Sequence, residues 1–148
     1  MAIPDYLSLP TEGDYKKYFI ENYCNVCPIL TWDGLPVMFY PDMFEHAFYK
    51  RAQKQWRSQK DQVDLERCKR MPWIKEVLSD STIVPRQGYD KATGRNDSTR
   101  RVALLSKERY VVVIRYTDNN KWAFVTAYII DNERTYNKLV SAPRWTGI

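Results

Sequence analysis

The sequence predicts an α+β fold, because the spacing of its apolar residues changes from a helical repeat to strict alternation near residue 80. Before that point apolar residues recur every three or four positions, whereas RYVVVIRY and KWAFVTAYII alternate as strands do. An Asp33-Gly34 turn between two β-prone runs adds a hairpin. We therefore expect N-terminal helices and a small hairpin, followed by a twisted four-stranded antiparallel sheet and a short C-terminal helix.

The length of 148 residues indicates a single domain over residues 1–148, with a helical part over about 11–80 and a sheet part over about 81–130. Thr11 can cap a first helix that runs to about residue 23. The hairpin is expected over about 28–40. These elements occupy the acidic first third of the chain.

Two further helices are expected before the sheet. Asp42 can cap the first, with Glu45 at the capping-box spacing and apolar residues at helical intervals as far as Trp56. The second follows Asp61, and Pro72 should kink it or divide it in two. The exposed side of this second helix is expected to be basic.

The sheet part contains four runs with strand-like alternation. They cover residues 82–89, 100–106, 109–116 and 121–130. Between the first two runs, the polar segment GYDKATGRNDSTRR is expected to form a mobile loop. Residues 131–140 are expected to form a short helix, and SAPRWTGI is expected to be a tail.

Positive charge is concentrated in one segment of the chain. Residues 1–49 contain seven acids and two lysines, whereas residues 50–75 contain nine bases and three acids. The second segment therefore has a net charge of +6, which exceeds the +5 of the whole chain. Such a patch attracts polyanions, and RNA or DNA is the commonest partner, although a solvated helix face is an equally good interpretation. No apolar run has the roughly 20 residues that a membrane span needs, so we expect a cytoplasmic protein without a membrane partner.

Several short stretches together resemble a known family. The helix containing FEHAF, the phrase RCKRMPWIKEVL and the paired runs YVVVIRY and WAFVTAY are similar to the barnase/EndoU/colicin/RelE-like ribonuclease superfamily, in particular its phage-associated branch. The resemblance extends from about Cys24 to Tyr128 and implies a metal-independent endoribonuclease without a cofactor. It also implies a toxin or a phage or mobile-element effector that acts on RNA, with an antitoxin or immunity protein as a possible partner.

Five residues are candidates for catalysis. His46 is the only histidine, and an imidazole exchanges protons near neutral pH. Lys50 follows at the i+4 spacing, which would place it on the same face of a helix. Alternation in the last strand places Thr126 and Tyr128 on one face together with Trp122 and Phe124. Arg115 is expected beside them on the adjacent strand.

These residue types suit cleavage of RNA by its own 2′-hydroxyl, which needs a base, an acid and cations around the phosphorus to yield a 2′,3′-cyclic phosphate. Further cations are candidates for RNA binding: Arg51, Lys54, Arg57, Lys69, Arg70, Arg86, Arg100 and Arg101. Each of these residues also has an alternative role without catalysis or RNA binding. A lone histidine, a threonine or tyrosine in a strand and a surface arginine often serve only packing or solvation.

A second interpretation is a non-catalytic nucleic-acid- or protein-binding module that contains a structural zinc ion. Cys24 and Cys27 form a C-x2-C pair, and His46 and Cys68 supply the remaining two ligand types of a tetrahedral zinc site. The wide separation of the second pair weakens this hypothesis. Small buried cysteines are the ordinary alternative.

Overall fold

The computed structural model describes residues 3–50 and 62–148, and its centre is a mixed six-stranded sheet. The helices are α1 (Glu12–Phe19), α2 (Met43–Phe48), α3 (Leu65–Cys68), α4 (Trp73–Ser79) and α5 (Glu133–Val140). The strands are β1 (Ile29–Leu30), β2 (Pro36–Met38), β3 (Tyr49–Lys50), β4 (Gln62–Val63), β5 (Arg86–Asp90), β6 (Arg95–Leu105), β7 (Tyr110–Tyr116) and β8 (Trp122–Ile129). The strand order is β1-β2-β8-β7-β6-β5, and β3 and β4 form a separate two-stranded sheet.

The α+β class is confirmed, but the central sheet has six strands instead of the four that we predicted. Strands β5 to β8 are the predicted antiparallel strands. The predicted hairpin is also present, since Ile29 pairs with Val37 across the Gly34 turn. Strand β2 then pairs with β8 in parallel, with Val37 beside Trp122. This long-range pairing could not be predicted because strands of two or three residues carry too little periodicity.

The first helix begins as predicted at Thr11. The Thr11 hydroxyl accepts a hydrogen bond from the Asp14 amide at 3.1 Å, and the Asp14 carboxylate accepts one from the Thr11 amide at 3.2 Å. A π-helical turn, Ile20–Cys24, continues α1 and accounts for the predicted length. In the described part of the chain, no helix is long and apolar enough to cross a membrane.

Helix α2 is shorter than predicted and is capped differently. Asp42 has helical backbone angles (φ −69°, ψ −14°), and its carboxylate makes no capping hydrogen bond. Glu45 forms an ion pair with Lys16 at 2.6 Å instead of completing a capping box. The helix ends at Phe48, and Lys50 belongs to β3, so the i+4 helical relation between His46 and Lys50 does not exist. The predicted continuation to Trp56 lies outside the described residues.

The next helix is divided as Pro72 predicts, but it starts later. Gln62–Val63 forms β4, and the Asp64 carboxylate then caps α3 by accepting hydrogen bonds from the amides of Glu66 at 3.1 Å and Arg67 at 3.3 Å. Pro72 precedes the first residue of α4. The strand pairing of residues 62–63 therefore displaces the start that we predicted at Asp61.

The predicted loop between the first two long strands is mostly strand. Strand β5 extends to Asp90 and β6 begins at Arg95, so only four residues form the turn. Gly94 has a φ of 71°, a left-handed value that favours glycine. Gly88 lies so close to β6 that an added Cβ would be 2.8 Å from the Cβ of Arg100. The polar composition predicts a loop here, but pairing of the two strands in a hairpin provides hydrogen-bond partners for the backbone N–H and C=O groups.

The C-terminal segment covers part of one edge of the sheet. Helix α5 forms where it was predicted, and its N-cap Asn132 accepts a hydrogen bond from the Thr135 amide at 2.8 Å. The predicted tail instead packs on the sheet. The Trp145 backbone N–H donates a hydrogen bond to the Pro85 carbonyl at 2.9 Å, and its indole N–H donates one to the Ser98 carbonyl at 2.8 Å. The edge of β5 is thus partly covered.

Two apolar layers hold the sheet, and a bulge in β8 decides which residues enter each. Val113 pairs with Thr126 and Ile114 with Phe124, so Val125 has no partner in β7. The bulge places Phe124 in the large core on the helical side, while Tyr128 packs against the smaller core under α5. Our prediction that Trp122, Phe124, Thr126 and Tyr128 share one face is therefore wrong beyond the bulge.

Candidate functional site

A groove of about 410 Å³ involves α2 and the ends of β7 and β8, and it brings together two of the predicted catalytic residues. Its polar lining consists of Tyr40, Asp42, His46, Arg115 and Thr117. The remaining lining is Met43, Ala123, Phe124 and Val125. An imidazole, a carboxylate and a guanidinium therefore share one solvent-accessible surface.

Helix α2 presents His46 to the groove because its other side is fixed in the core. Phe44, Ala47 and Phe48 are fully buried. The rings of Phe44 and Phe48 both pack against Phe19 of α1, with centroid distances of 6.1 and 5.5 Å. His46 is consequently on the exposed side of a short, firmly packed helix.

Asp42 is a groove residue that the sequence did not reveal. It precedes His46 by one helical turn, and its position at the start of α2 suggested a cap. Because the carboxylate makes no capping hydrogen bond, it remains on the groove surface. Only the backbone angles at Asp42 distinguish these two roles, and sequence does not provide them.

Arg115 is part of a pair of neighbouring guanidinium groups. Arg100 of β6 is its direct partner in the β6–β7 register, and directly opposite residues project from the same face of a sheet. Within residues 3–50 and 62–148, neither arginine takes part in an ion pair. Since like charges directly opposite each other destabilise a sheet, a bound anion would relieve their repulsion.

The groove floor is shaped by the β8 bulge. Ala123 pairs directly with Arg115, and its methyl group leaves space beside the arginine. Val125, the unpaired bulge residue, forms another part of the floor. Bulges commonly redirect side chains beside functional sites, because the extra residue interrupts the ladder.

Lys50, Thr126 and Tyr128 are not among the groove residues. Tyr128 instead lines a separate cavity of about 170 Å³ with Arg67 and Arg70. The Arg67 guanidinium lies 5.4 Å from the centre of the Tyr128 ring, and it donates to the Thr126 hydroxyl at 3.4 Å. Burial raises the pKa of Tyr128, while the nearby Arg67 charge opposes the shift.

The predicted RNA-binding residues separate into several groups. Arg101 is only 4% exposed and forms a bidentate ion pair with Asp33 at 2.7 and 2.9 Å, so it cannot clamp a phosphate as predicted. Lys69 and Arg70 both pair with Glu66, at 2.8 and 3.0 Å.

Arg86 donates to the Ala142 carbonyl at 2.9 Å, which fixes the C-terminal segment. Arg51, Lys54 and Arg57 lie outside the described residues. Of the predicted RNA-binding set, Arg100 is therefore the cation that the described structure places directly beside a groove residue.

The four residues of the alternative zinc site are not gathered. Among the described residues, no group of three or more His, Cys, Asp and Glu side chains is placed to hold a metal ion. Cys68 is fully buried, and burial raises its pKa to about 12. Burial likewise raises the pKa of Cys24 to about 11. Zinc binds thiolates, so both thiols would have to lose a strongly held proton.

The comparisons with known proteins do not identify a family for this chain. No family model matches it, and no curated protein or solved structure is significantly similar. The resemblance to the ribonuclease superfamily therefore stays a prediction.

Proposed function

We propose that the groove containing Asp42, His46 and Arg115 is the active site of a metal-independent endoribonuclease. The observation that carries this proposal is the placement of His46 and Arg115, which lie far apart in the sequence, on one solvent-accessible groove. The groove thus combines proton-transfer groups with a cation that can stabilise a phosphate. Ribonucleotide transesterification needs both.

The chemistry assigns a role to each group. The Asp42 carboxylate takes the proton of the 2′-hydroxyl as the 2′-oxygen attacks phosphorus and forms the new P–O bond. Protonated His46 gives its proton to the 5′-oxygen as the P–O5′ bond breaks. Arg115 balances the charge that accumulates on the phosphate oxygens, and Arg100 adds to the same field. The products are a 2′,3′-cyclic phosphate and a 5′-hydroxyl.

The unpaired charges of the arginine pair support an anionic substrate. The Arg100 charge contributes to the lowered pKa of Asp97, but neither Arg100 nor Arg115 forms an ion pair with a described residue, so the repulsion between these directly opposite charges disfavours folding. A phosphodiester chain passing over both residues would convert this repulsion into binding energy. The same two residues also support a second candidate, an RNA-binding module without catalysis. The two candidates differ in whether His46 is needed for a chemical step.

Single-turnover cleavage of a fluorescent RNA in EDTA tests the proposal. His46→Ala should slow cleavage by about 100-fold or more, the usual contribution of a general acid. Arg115→Gln should slow it by about 10- to 1000-fold, as expected when one charge-stabilising group is lost. Arg134→Gln provides the matched control, because Arg134 is an exposed arginine of α5 that does not line the groove.

RNA affinity measured on the same samples separates the two candidates. His46→Ala should bind RNA about as tightly as the wild type, whereas Arg115→Gln should bind more weakly and with a smaller salt dependence. If His46→Ala and Arg115→Gln both cleave at the wild-type rate, the groove is not the active site. If the wild type binds RNA but does not cut it, the binding module is correct.

A further inference from the structure

A second cleft lies at the beginning of β6, formed by the β5–β6 hairpin and the C-terminal half of α5. Its volume is about 370 Å³. It is lined by Gln87, Tyr89, Gly94, Arg95, Asn96, Lys138, Leu139, Ser141 and Ala142. The lining contains two cations and no carboxylate, which distinguishes it from the groove at Asp42 and His46.

The two cations are available for a ligand. Arg95 and Lys138 are exposed, and in the described part of the chain neither forms an ion pair. Two aspartates are near Arg95: Asp90 is its direct partner in the β5–β6 register, and the pKa of Asp97 is lowered by hydrogen bonds from Thr99 and, to a smaller extent, by the charges of Arg100 and Arg95. Asp90 accepts a hydrogen bond from the Ala92 amide at 3.0 Å, and Asp97 accepts one from the Thr99 amide at 2.8 Å. Neither aspartate lines the cleft, so both charged groups of the lining are cations, which suits a phosphate.

Tyr89 adds an aromatic surface to this field. It is 49% exposed, a large fraction for a tyrosine. Lys138 lies over its ring at 4.7 Å from the centroid, so the ring and one cation are held together. An exposed aromatic ring beside cations is the combination that stacks a nucleobase while the phosphate is bound.

Polar groups around the ring can read the edges of a base or a sugar. Neither Gln87 nor Asn96 has a side-chain hydrogen bond to another described residue, so both amides can donate and accept. The Ser141 hydroxyl donates to the Asn137 carbonyl at 2.7 Å, which leaves its oxygen able to accept a hydrogen bond. A phosphate, an aromatic base and a hydroxylated sugar would each find a partner.

We infer that this cleft is a nucleotide-binding site, with Arg95 and Lys138 on the phosphate and Tyr89 stacked on the base. It is separate from the groove that holds His46, and its occupancy does not depend on cleavage. The nucleotide can belong to a free mononucleotide or to an RNA chain, because both offer the same phosphate, sugar and base.

Calorimetric titration of the full chain with adenosine monophosphate, adenosine and inorganic phosphate tests the inference. The monophosphate should bind at least about tenfold more tightly than either fragment, since charge-assisted hydrogen bonds and stacking both contribute. Arg95→Gln combined with Lys138→Gln should reduce its affinity about tenfold or more, and Tyr89→Ala should remove the advantage over phosphate. Lys91→Gln is the matched control, because Lys91 is an exposed cation of the same hairpin that does not line the cleft.

A five-nucleotide RNA with 2′-O-methyl groups, which cannot be cleaved by its own 2′-oxygen, separates the two sources. If this RNA binds much more tightly than the monophosphate, and the Arg95→Gln/Lys138→Gln variant loses that binding, the cleft holds an RNA chain. If the RNA and the monophosphate bind with equal affinity, the cleft holds a mononucleotide. His46→Ala should retain full nucleotide affinity, so a failure of the active-site proposal leaves this test intact. The inference is overturned if phosphate alone binds as tightly as the monophosphate, or if the cleft variants bind normally.

Discussion

Arg67 shows how one side chain can account for residues that the sequence suggested as catalytic. Its guanidinium donates to the Ala47 carbonyl at 3.0 Å and to the Thr126 hydroxyl at 3.4 Å, pairs with Asp64 at 3.4 Å, and lies over the Tyr128 ring. It therefore connects α2, α3 and β8. This network explains polar residues in an apolar strand without requiring a substrate.

Substitutions around Arg67 should affect stability and not cleavage. Thr126→Val loses one long hydrogen bond, and Tyr128→Phe keeps the ring beneath the guanidinium, so each should cost less than about 1 kcal/mol of unfolding free energy. Arg67→Met removes the whole network and should cost roughly 2 kcal/mol. Thermal melts and single-turnover rates on the same samples provide the measurement.

A rate per folded molecule within about twofold of wild type is the expected result for Thr126→Val and Tyr128→Phe, because ordinary surface or packing changes leave chemistry intact. A loss of 10-fold or more in rate with an unchanged melting temperature would contradict this structural role. It would make both residues candidates for the proposed active site again.

The sequence predicts which types of residue line the groove better than it predicts how they are arranged. His46 and Arg115 follow from their chemistry, and the structure places both on one surface. Helical spacing predicts Lys50 beside His46, but this prediction is wrong because the helix ends at Phe48. The sequence predicts Asp42 as a cap, but its backbone angles depend on packing that the sequence does not show.

At the level of elements, the β1–β2 hairpin is held by a largely buried ion pair. Arg101 of β6 forms two hydrogen bonds with the Asp33 carboxylate, and the Thr31 hydroxyl donates to the same carboxylate at 2.6 Å. The Arg101 guanidinium also lies 4.7 Å from the centre of the Trp145 ring. One arginine thus connects the hairpin turn, the sheet and the C-terminal segment.

This ion pair predicts a defined pH dependence of stability. Burial alone would raise the pKa of Asp33, but the hydrogen bonds from Arg101 and Thr31 outweigh it and lower the pKa. A carboxyl group whose pKa is lowered by folding stabilises the protein above its unfolded pKa of about 3.9, and this contribution is lost as the pH falls through the lower folded pKa. Acidification should therefore weaken the attachment of the hairpin.

Asp33→Asn should reduce the unfolding free energy by roughly 2–4 kcal/mol near neutral pH, because it leaves the Arg101 charge buried without a counterion. The difference from wild type should shrink as the pH falls below about 4. Denaturant unfolding at several pH values measures it, with Asp118→Asn in an exposed turn as the control. A difference that stays constant down to acid pH would show that Asp33 is not the titrating group.

Elements with strong local signals could be predicted from sequence. The Thr11 cap, the Asp33-Gly34 hairpin, the Pro72 break and α5 are all present. The parallel pairing of β2 with β8 and the bulge at Val125 were missed, because both depend on contacts between distant segments. Such long-range register is fixed by packing and not by local propensity.

For the whole molecule, the covering of the sheet determines where a substrate can bind. Helices α1 to α4 pack against the large core on one side, and α5 packs against Val102, Leu104, Val111 and Ile130. The row containing Arg100, Arg115 and Ala123 lies beyond this second core, so α5 does not cover the arginine pair. The sequence indicated a concentration of positive charge in residues 50–75, whereas Arg100 and Arg115 lie outside that segment and only the topology shows that they are neighbours.

The most direct test of the proposed activity is the chemistry of the RNA ends produced by the wild-type protein in EDTA. Two matched substrates are compared, one an all-ribose RNA and the other the same RNA with a single 2′-deoxynucleotide at the major cleavage position. We predict 2′,3′-cyclic phosphate and 5′-hydroxyl ends from the ribose substrate, and no cutting at the deoxy position, because the attacking 2′-oxygen is absent there. Cleavage at the deoxy position, or no cleavage of the ribose substrate without added metal, would contradict the proposed mechanism.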